Sequence, residues 1–318
     1  MNTIPLTFDE HQIDCTVVGG AIENSEKTLN ISVILLNTTG CHFKAQLFEN
    51  LLSCNFKQII SVEHDANNFS LDDFFKKFPT IKFIVPLEKA TDGEMINLAM
   101  SEVSSDYVLV LRDNLAIPQG VILSNLAEKL TQSGNYCIVP RLFDINHNSL
   151  DIQFSPFVEK NHFTIESSNA VSDGMKTLYP FDYIGLYNRK KFIQLGGFDY
   201  TIKSSYWQNL DLAMRAWLFG EEIKITTILQ FTYSQDYQIE DKTLNIDYLR
   251  FHLKNESPKY KNERGVLRKS QFFSFFFHSS CGFLEAKRLF SAAKKWVEIN
   301  KYKFKLDLQN LIVKWSVR

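Results

Sequence analysis

The chain has 318 residues, enough for one large or two ordinary domains around a sizeable core. At 45% hydrophobic and 22% charged residues it reads as a globular protein, which excludes the disordered and fibrous classes. A net charge of −1 hides an asymmetry: residues 251–318 carry 15 Lys and Arg against 5 Asp and Glu, leaving 20 against 31 for residues 1–250.

Five cysteines without a C-x-x-C spacing point to reduced thiols and a cytoplasmic setting. The opening residues lack the basic region and apolar core of a signal peptide, and no apolar run approaches the roughly 20 residues that span a bilayer.

Residues 1–30 read as an N-terminal arm or strand. From Ile31 onward strands and helices alternate. ISVILL (31–36) is a continuous apolar run of buried-strand length, and Phe43, Leu47 and Leu51 follow as a helical stripe. QIISVE (58–63) is a second strand, followed by a short helix with Ser70 as its N-cap. IKFIVP (81–86) is the third strand, and Met95, Ile96, Ala99, Met100 and Val103 mark a helix. YVLVL (107–111) is the fourth strand and CIVP (137–140) a further one, while residues 141–180 read as a long loop. Strands separated by helices imply a mostly parallel α/β sheet whose ligands bind beyond the carboxyl ends of the strands.

In the stretch GGFDYTIKSSYWQNLDLAMRAWLFG (196–220), Leu210, Met214, Trp217 and Leu218 share one helical face. Asn209 suits its N-cap, Asp211 its first turn and Gly220 its stop. Further on, Leu284, Leu289 and Trp296 interleave with Lys287, Arg288, Lys294 and Lys295 as a basic amphipathic helix. That helix suits either an anionic membrane surface or packing onto the acidic body. No nucleic-acid-binding motif accompanies the basic tail.

Taken in order, these fragments resemble the GT-A fold of family 2 glycosyltransferases over about three-fifths of the chain, Ile31 to about Lys224. ISVILLNTTG matches the opening strand, and SVEHDA (61–66) stands where the family has VDDGS. TDGEMINLAM (91–100) matches its N-x-G-x-x-x-A-x-N helix. YVLVLRDN (107–114) matches its strand ending in three acids, and GGFD (196–199) its acceptor loop. The resemblance implies a GT-A domain over residues 31–235, with a nucleotide half (31–130) and an acceptor half (131–235), and a basic helical extension over 236–318.

It also implies transfer of a sugar from a nucleotide sugar, a UDP-sugar first, to a glycan, lipid-linked or protein acceptor, with inversion. The setting it suggests is cytoplasmic or peripheral at the inner face of a membrane. Asn37, Asp65, Asn97, Arg112, Asp113 and Asn114 fall at the nucleotide-sugar positions, and Gly197, Phe198, Trp207, Gln208 and Asn209 at the acceptor positions. Mg2+ or Mn2+ is the family's ion, but Arg112 and Asn114 replace two of the three acids that hold it. Only Asp113 and Asn114 remain as ligands, so metal-independent binding is expected. Arg112 either contacts the diphosphate or is a surface residue after a buried strand.

The family's base falls on Asn209, an amide that accepts no proton at neutral pH. Asp211 and Asp199 are the nearest carboxylates, each with a bland alternative: a helix-dipole partner and a loop-shaping hydrogen bond. Trp207 either stacks on a sugar or packs a lid. A catalytically inactive scaffold beside an active transferase is the alternative function. A nucleotidyltransferase would want basic residues in the loop after the first strand, which Asn37–Gly40 lacks.

Overall fold

The computed structural model describes residues 11, 13–20, 29–38, 44–64, 71–122, 124–159 and 162–316. Asp65 and Ser70 lie outside the described residues. Runs of β-branched and aliphatic residues form the strands β1 (Cys15–Gly19), β2 (Ile31–Asn37), β3 (Ile59–Glu63), β4 (Lys82–Pro86) and β5 (Tyr107–Arg112). The second half adds β6 (Leu115–Ala116), β7 (Cys137–Phe143), β10 (Gly185–Asn188) and β11 (Ile223–Tyr233). All nine join one sheet in the order β1-β4-β3-β2-β5-β10-β7-β11-β6.

β2 to β5 run parallel, as do β7 and β11. β1, β6 and β10 are antiparallel to their neighbours. β2 and β3 are buried along their whole length, as a sheet covered on both faces requires. The carboxyl ends of β2, β3, β5, β7 and β11 share one edge, and there the chain gathers its polar side chains.

The stretch 141–180 is not one long loop. It contains the antiparallel hairpin β8 (Gln153–Glu159) and β9 (His162–Ser168), closed by seven register pairs. β8 alternates buried with half-buried positions and β9 has no buried position at all, so no apolar run marks them.

Helices α1 (Lys44–Leu52), α2 (Leu71–Lys77), α3 (Asp92–Glu102) and α4 (Ser124–Gln132) belong to the first half, α5 (Arg189–Leu195) and α6 (Ser205–Leu218) to the second. α3 begins with a capping box: the Thr91 hydroxyl accepts from the Glu94 N–H, and the Glu94 carboxylate accepts from the Thr91 N–H at 2.9 Å. α6 begins four residues earlier than the expected cap at Asn209, with Ser204 as N-cap. Asp211 therefore lies in its second turn and is no first-turn dipole partner. Nor is α6 amphipathic in its setting, because every residue from Tyr206 to Leu218 is buried.

The cover over its polar face comes from α7 (Ile246–Phe251) and the π-helical turn His252–Glu256. Beyond them lie the hairpin of β12 (Lys259–Lys261) and β13 (Arg264–Val266), then α8 (Gln271–His278), α9 (Phe283–Asn300) and α10 (Leu308–Ser316). α9 packs through Ala286, Phe290, Ala293 and Val297, and Trp315 of α10 meets Trp217 edge-on at 4.8 Å. Among the described residues no helix is long and apolar enough to cross a membrane.

Candidate active site

At the end of β5 the chain places Arg112, buried at 5% exposure. Its Nη2 lies 2.6 Å from Asp92 at the start of α3 and 2.6 Å from Asp182, while Nη1 donates to the Thr38 hydroxyl at 3.2 Å. Asp182 sits at φ +52° just before β10, a left-handed conformation that turns its carboxylate back towards β5. Its second oxygen accepts from the Tyr233 hydroxyl at 3.0 Å, and the guanidinium lies 5.7 Å from the Tyr183 ring centre. Burial works against the Arg112 charge, but Asp182 and Asp92 more than reverse it, and the guanidinium stays protonated. Burial pushes the Asp182 carboxyl above its ordinary value, against the pull of Arg112 and Tyr233.

Arg112 is thus no surface residue. It is the cation of a buried carboxylate–guanidinium–carboxylate bridge, and among the described residues its Nε has no hydrogen-bond partner. This arrangement does not fit the divalent ion that the resemblance implies, because the guanidinium already holds the two carboxylates that face the end of β5. Asn114 is buried beside it; its Nδ2 reaches the Asp236 carbonyl at 3.5 Å, and its Oδ1 has no partner. Asp113 is buried too, with its N–H on the Leu36 carbonyl at 3.1 Å.

At the ends of β2 and β3 the acid in place is Glu63, two positions before the expected Asp65, which lies outside the described residues. Glu63 accepts from Asn37 at 2.8 Å, Lys44 at 2.6 Å and Ser61 at 2.8 Å, all buried. Its strand-end position directly after Val62 was the available signal.

The second cluster surrounds the 196–199 loop. Gly196 at φ +92° ends α5 in the left-handed cap that glycine adopts without strain, and Gly197 at φ +65° continues the turn. Asn97 grips this loop: its Nδ2 donates to the Phe198 carbonyl and its Oδ1 accepts from the Phe198 N–H. Both amide atoms are therefore spent on loop backbone rather than on a nucleotide.

Gln208, fully buried, ties four elements together. Its Oε1 accepts from the Gly93 N–H and the Tyr183 hydroxyl, and its Nε2 donates to the Thr91 hydroxyl and the Asp199 carbonyl. Asn209 donates to the Pro180 carbonyl at 2.7 Å. Phe198 packs on Tyr183 and Phe192, and Trp207 on Tyr248 and Phe251 with its indole N–H on the Thr243 carbonyl. Of the two readings of Trp207, the packing one describes its surroundings.

The two carboxylates expected as bases share one cation. Lys254 Nζ, on the π-helical turn, lies 2.8 Å from Asp199 and 3.0 Å from Asp211. Asp211, at 0% exposure, also accepts from Arg215 and Asn255. Asp199 accepts from the Thr201 N–H at 2.8 Å and hydroxyl at 2.7 Å. Burial opposes its ionisation, yet Lys254 and the Thr201 donors hold it well below the usual carboxylate range. A carboxylate so stabilised is a poor proton acceptor, which argues against Asp199 as a general base, while the Asp211 oxygens are fully buried and already held by Lys254, Arg215 and Asn255.

An open cleft of about 410 Å³ lies beside the Arg112 bridge, following the carboxyl ends of β7 and β11. Phe154, Phe181 and Tyr237 form its aromatic walls, and Asp151, Glu240 and Lys242 its polar ones. It adjoins the bridge through the chain, since Phe181 precedes Asp182, and through space, since Tyr237 packs 5.3 Å from Tyr233. Glu240 accepts from the Tyr179 hydroxyl at 2.8 Å. Burial pushes its carboxyl upward, against Tyr179 and Lys242, and Asp182 adds to the rise. None of these cleft residues stood out in the sequence, because Asp151, Tyr237 and Glu240 lie in segments without periodic pattern.

The chain is similar in structure to GalNAc-T7 crystallised with UDP, GalNAc and Mn2+, with a TM-score of 0.58 at 11% identity. The likeness covers 87% of this chain and 58% of that one, so the chain spans less than two thirds of that protein's length. S. aureus TarS 1-349 matches with a TM-score of 0.49 at 14% identity, over 82% of this chain and 69% of that one. The mannosyltransferase PcManGT from Pyrobaculum calidifontis, in complex with GDP-Man and Mn2+, matches at 0.47 and 9%, over 92% and 76%. No protein-family model matches the sequence, and no curated protein does. The chain has a GT-A glycosyltransferase fold, a mainly parallel central sheet with flanking helices followed by C-terminal helices.

Proposed function

We propose that the chain is a glycosyltransferase-like protein that takes a nucleotide sugar at the carboxyl edge of its sheet and transfers the sugar to an acceptor hydroxyl in the cleft beside it. Residues 31–235 form the body of the transferase unit, and the basic extension, residues 236–318, completes its cleft with Tyr237 and Glu240. The observation that carries the reading is the cleft itself: aromatic walls and a raised carboxylate, set against a buried cation at the end of the central strand. Aromatic faces suit the C–H face of a sugar ring, and polar groups at the rim suit its hydroxyls. The GT-A likeness supports a nucleotide-sugar donor, and we take a UDP-sugar as the first choice.

In this reading Glu240, rather than Asp211 or Asp199, removes the acceptor proton. The acceptor oxygen then bonds to the anomeric carbon from the face opposite the diphosphate, the carbon–phosphate-oxygen bond breaks, and the configuration inverts. A carboxyl raised by burial is the better base near neutral pH. Arg112, held charged by Asp92 and Asp182, is the fixed cation near the leaving diphosphate, with its unpaired Nε as the free donor. No divalent ion takes part in this step: the guanidinium of Arg112 already holds Asp92 and Asp182, the two carboxylates that face the end of β5.

A second reading is favoured by a specific observation. The Arg112 charge is spent on two carboxylates, and Asp199, Asp211, Gln208 and Asn209 all face inward. These features fit a non-catalytic binding subunit beside an active transferase. The test is a thermal-shift and turnover screen over UDP- and GDP-sugars, in EDTA and in Mn2+. Stabilisation with release of nucleoside diphosphate supports a transferase. Stabilisation without release, from intact chain and from Glu240→Gln alike, supports the binding subunit. No response to any nucleotide sugar would remove both.

A further inference from the structure

α9 divides into two parts with different surroundings. From Leu289 onward it faces the body: Leu289 packs against the core, and Trp296 stacks on Phe219 and lies over Lys254 and Arg215. That part of the tail is a cap on the body, and the membrane-facing role expected for Leu289 and Trp296 does not fit it. The corner where α8 meets α9 is different. α8 reads QFFSFFFH and carries no Lys, Arg, Asp or Glu. It needs only Phe275 inward, where it meets Phe290, with Phe272 and Phe276 half-covered against α9. The remaining aromatics point out: Phe273 is 63% exposed, Phe277 77%, and on the next helix Phe283 53% and Leu284 81%.

Four large apolar side chains gathered at one corner are more than scattered exposure, and such patches mark interaction surfaces. The rim gives the sign of the partner. Arg268 and Lys269 precede α8, and Lys287 and Arg288 follow Leu284 on α9, all exposed, against Glu285. Among the described residues the ion pairs of residues 246–316 are Arg250–Asp247, His252–Glu256, Lys254–Asp199, Lys254–Asp211 and Lys301–Glu298, none of them at this rim. A second copy docking here would bring two cationic rims together, which like charge disfavours.

We propose that this corner is a membrane-docking tip: Phe273, Phe277, Phe283 and Leu284 enter the interfacial layer of an anionic bilayer while Arg268, Lys269, Lys287 and Arg288 hold its phosphate headgroups. Aromatic rings favour that layer, and basic side chains extend their charged ends to the headgroups. Burial of an apolar face together with attraction to anionic lipid gives reversible attachment without a membrane span. The inference stands independently of the transferase reading.

The test is co-sedimentation of the full chain with vesicles of phosphatidylcholine alone and of phosphatidylcholine with phosphatidylglycerol. Binding to the anionic vesicles only, weakening as salt rises, is expected. Each basic side chain near such a surface contributes about fivefold in partitioning, so replacing the four rim bases with Gln lowers the partition coefficient by roughly 10²–10³-fold. Phe273→Ser with Phe277→Ser does the same by removing the inserting face. Because these six positions are not in the core, thermal unfolding of both variants stays near wild type, and the charge variant decides the matter should the Ser variant misfold. No binding by the intact chain at low salt overturns the proposal. Equal binding to neutral vesicles, or a dimer abolished by Phe277→Ser without vesicle binding, overturns it too.

Discussion

The Asn97 carboxamide pairs with both backbone polar atoms of Phe198, donating to its carbonyl at 2.8 Å and accepting from its N–H at 2.9 Å. A side chain on α3 thus replaces the strand partner that the loop after α5 lacks, and Phe198 is buried at 2% exposure behind it. Asn97→Ala leaves that buried donor and acceptor unpaired, each at about 1–3 kcal/mol. We expect a stability loss of roughly 2–4 kcal/mol in urea unfolding. If Asn97 instead served a ligand, the variant would lose binding at unchanged stability.

Arg112 holds two carboxylates, so removing it should cost more than removing either of them. Taking one partner from a buried ionic group typically costs about 3–5 kcal/mol, because the remaining charges stay buried and unpaired. Arg112→Met is expected in that range, and Arg112→Met with Asp92→Asn and Asp182→Asn should recover much of it. Thermal unfolding of the series checks this; additive losses would show that the bridge is not a unit.

Asp199 predicts an acid-sensitive term. Against the opposing effect of burial, Lys254 and Thr201 hold its folded carboxyl below the ordinary value, so its contribution is fully present above the unfolded value of about 3.9, shrinks as pH falls below it and is lost only as pH falls through the lower folded value. Asp199→Asn should be less stable than wild type at pH 7, and the gap should narrow from about pH 4 downward without closing by about pH 3. Chemical unfolding between pH 7 and pH 3 is the measurement, and parallel curves would refute the assignment.

Asn209 occupies the position that the family resemblance reserves for a base, yet Asn209→Asp should not create turnover. Its Nδ2 donates to the Pro180 carbonyl at 2.7 Å, so an aspartate would oppose two acceptors in a site 3% exposed. The expected result is destabilisation by about 2–4 kcal/mol. A stable variant that transfers sugar faster would put the base at this position after all.

Glu240 carries the proton in the proposed step. Glu240→Gln should lower kcat by about 10²–10⁴ with nucleotide-sugar affinity retained. Its carboxyl is raised by burial, so kcat/KM should climb with pH through an apparent value above the ordinary 4.3 or so for glutamate. A pH–rate profile flat down to pH 4 would remove Glu240 from the role.

The strands were legible because a sheet covered on both faces leaves continuous apolar runs, and ISVILL, IKFIVP and YVLVL are such runs. The capping box at Thr91 and Glu94 is a local code too, but the stripe from Met95 to Val103 marks the helix without it. The site was legible only in outline. Arg112 stood out as a departure from the resemblance, but its partners lie 20 and 70 positions away, and no local pattern announces them. Lys254 reaches Asp211 and Asp199 from 43 and 55 positions downstream, within a stretch that reads as plain surface helix. The start of α6 at Ser205 was hidden because Tyr206, Trp207, Gln208 and Asn209 are buried through partners on four separate segments rather than through a single apolar stripe. Periodicity reports one face, and a helix enclosed on every side has none to report.

The position of β10 has a consequence for how a ribosome must deliver this chain. β10 lies between β5 and β7, so the outer edge of β5 stays open until a segment roughly 70 residues further along has been synthesised. At about 5–20 residues per second that interval lasts several seconds, during which a hydrophobic strand presents unpaired backbone to its surroundings. A nascent chain stalled between these two strands would be a natural client for chaperones, and a fragment ending before Gly185 would be an aggregation hazard rather than a smaller working half.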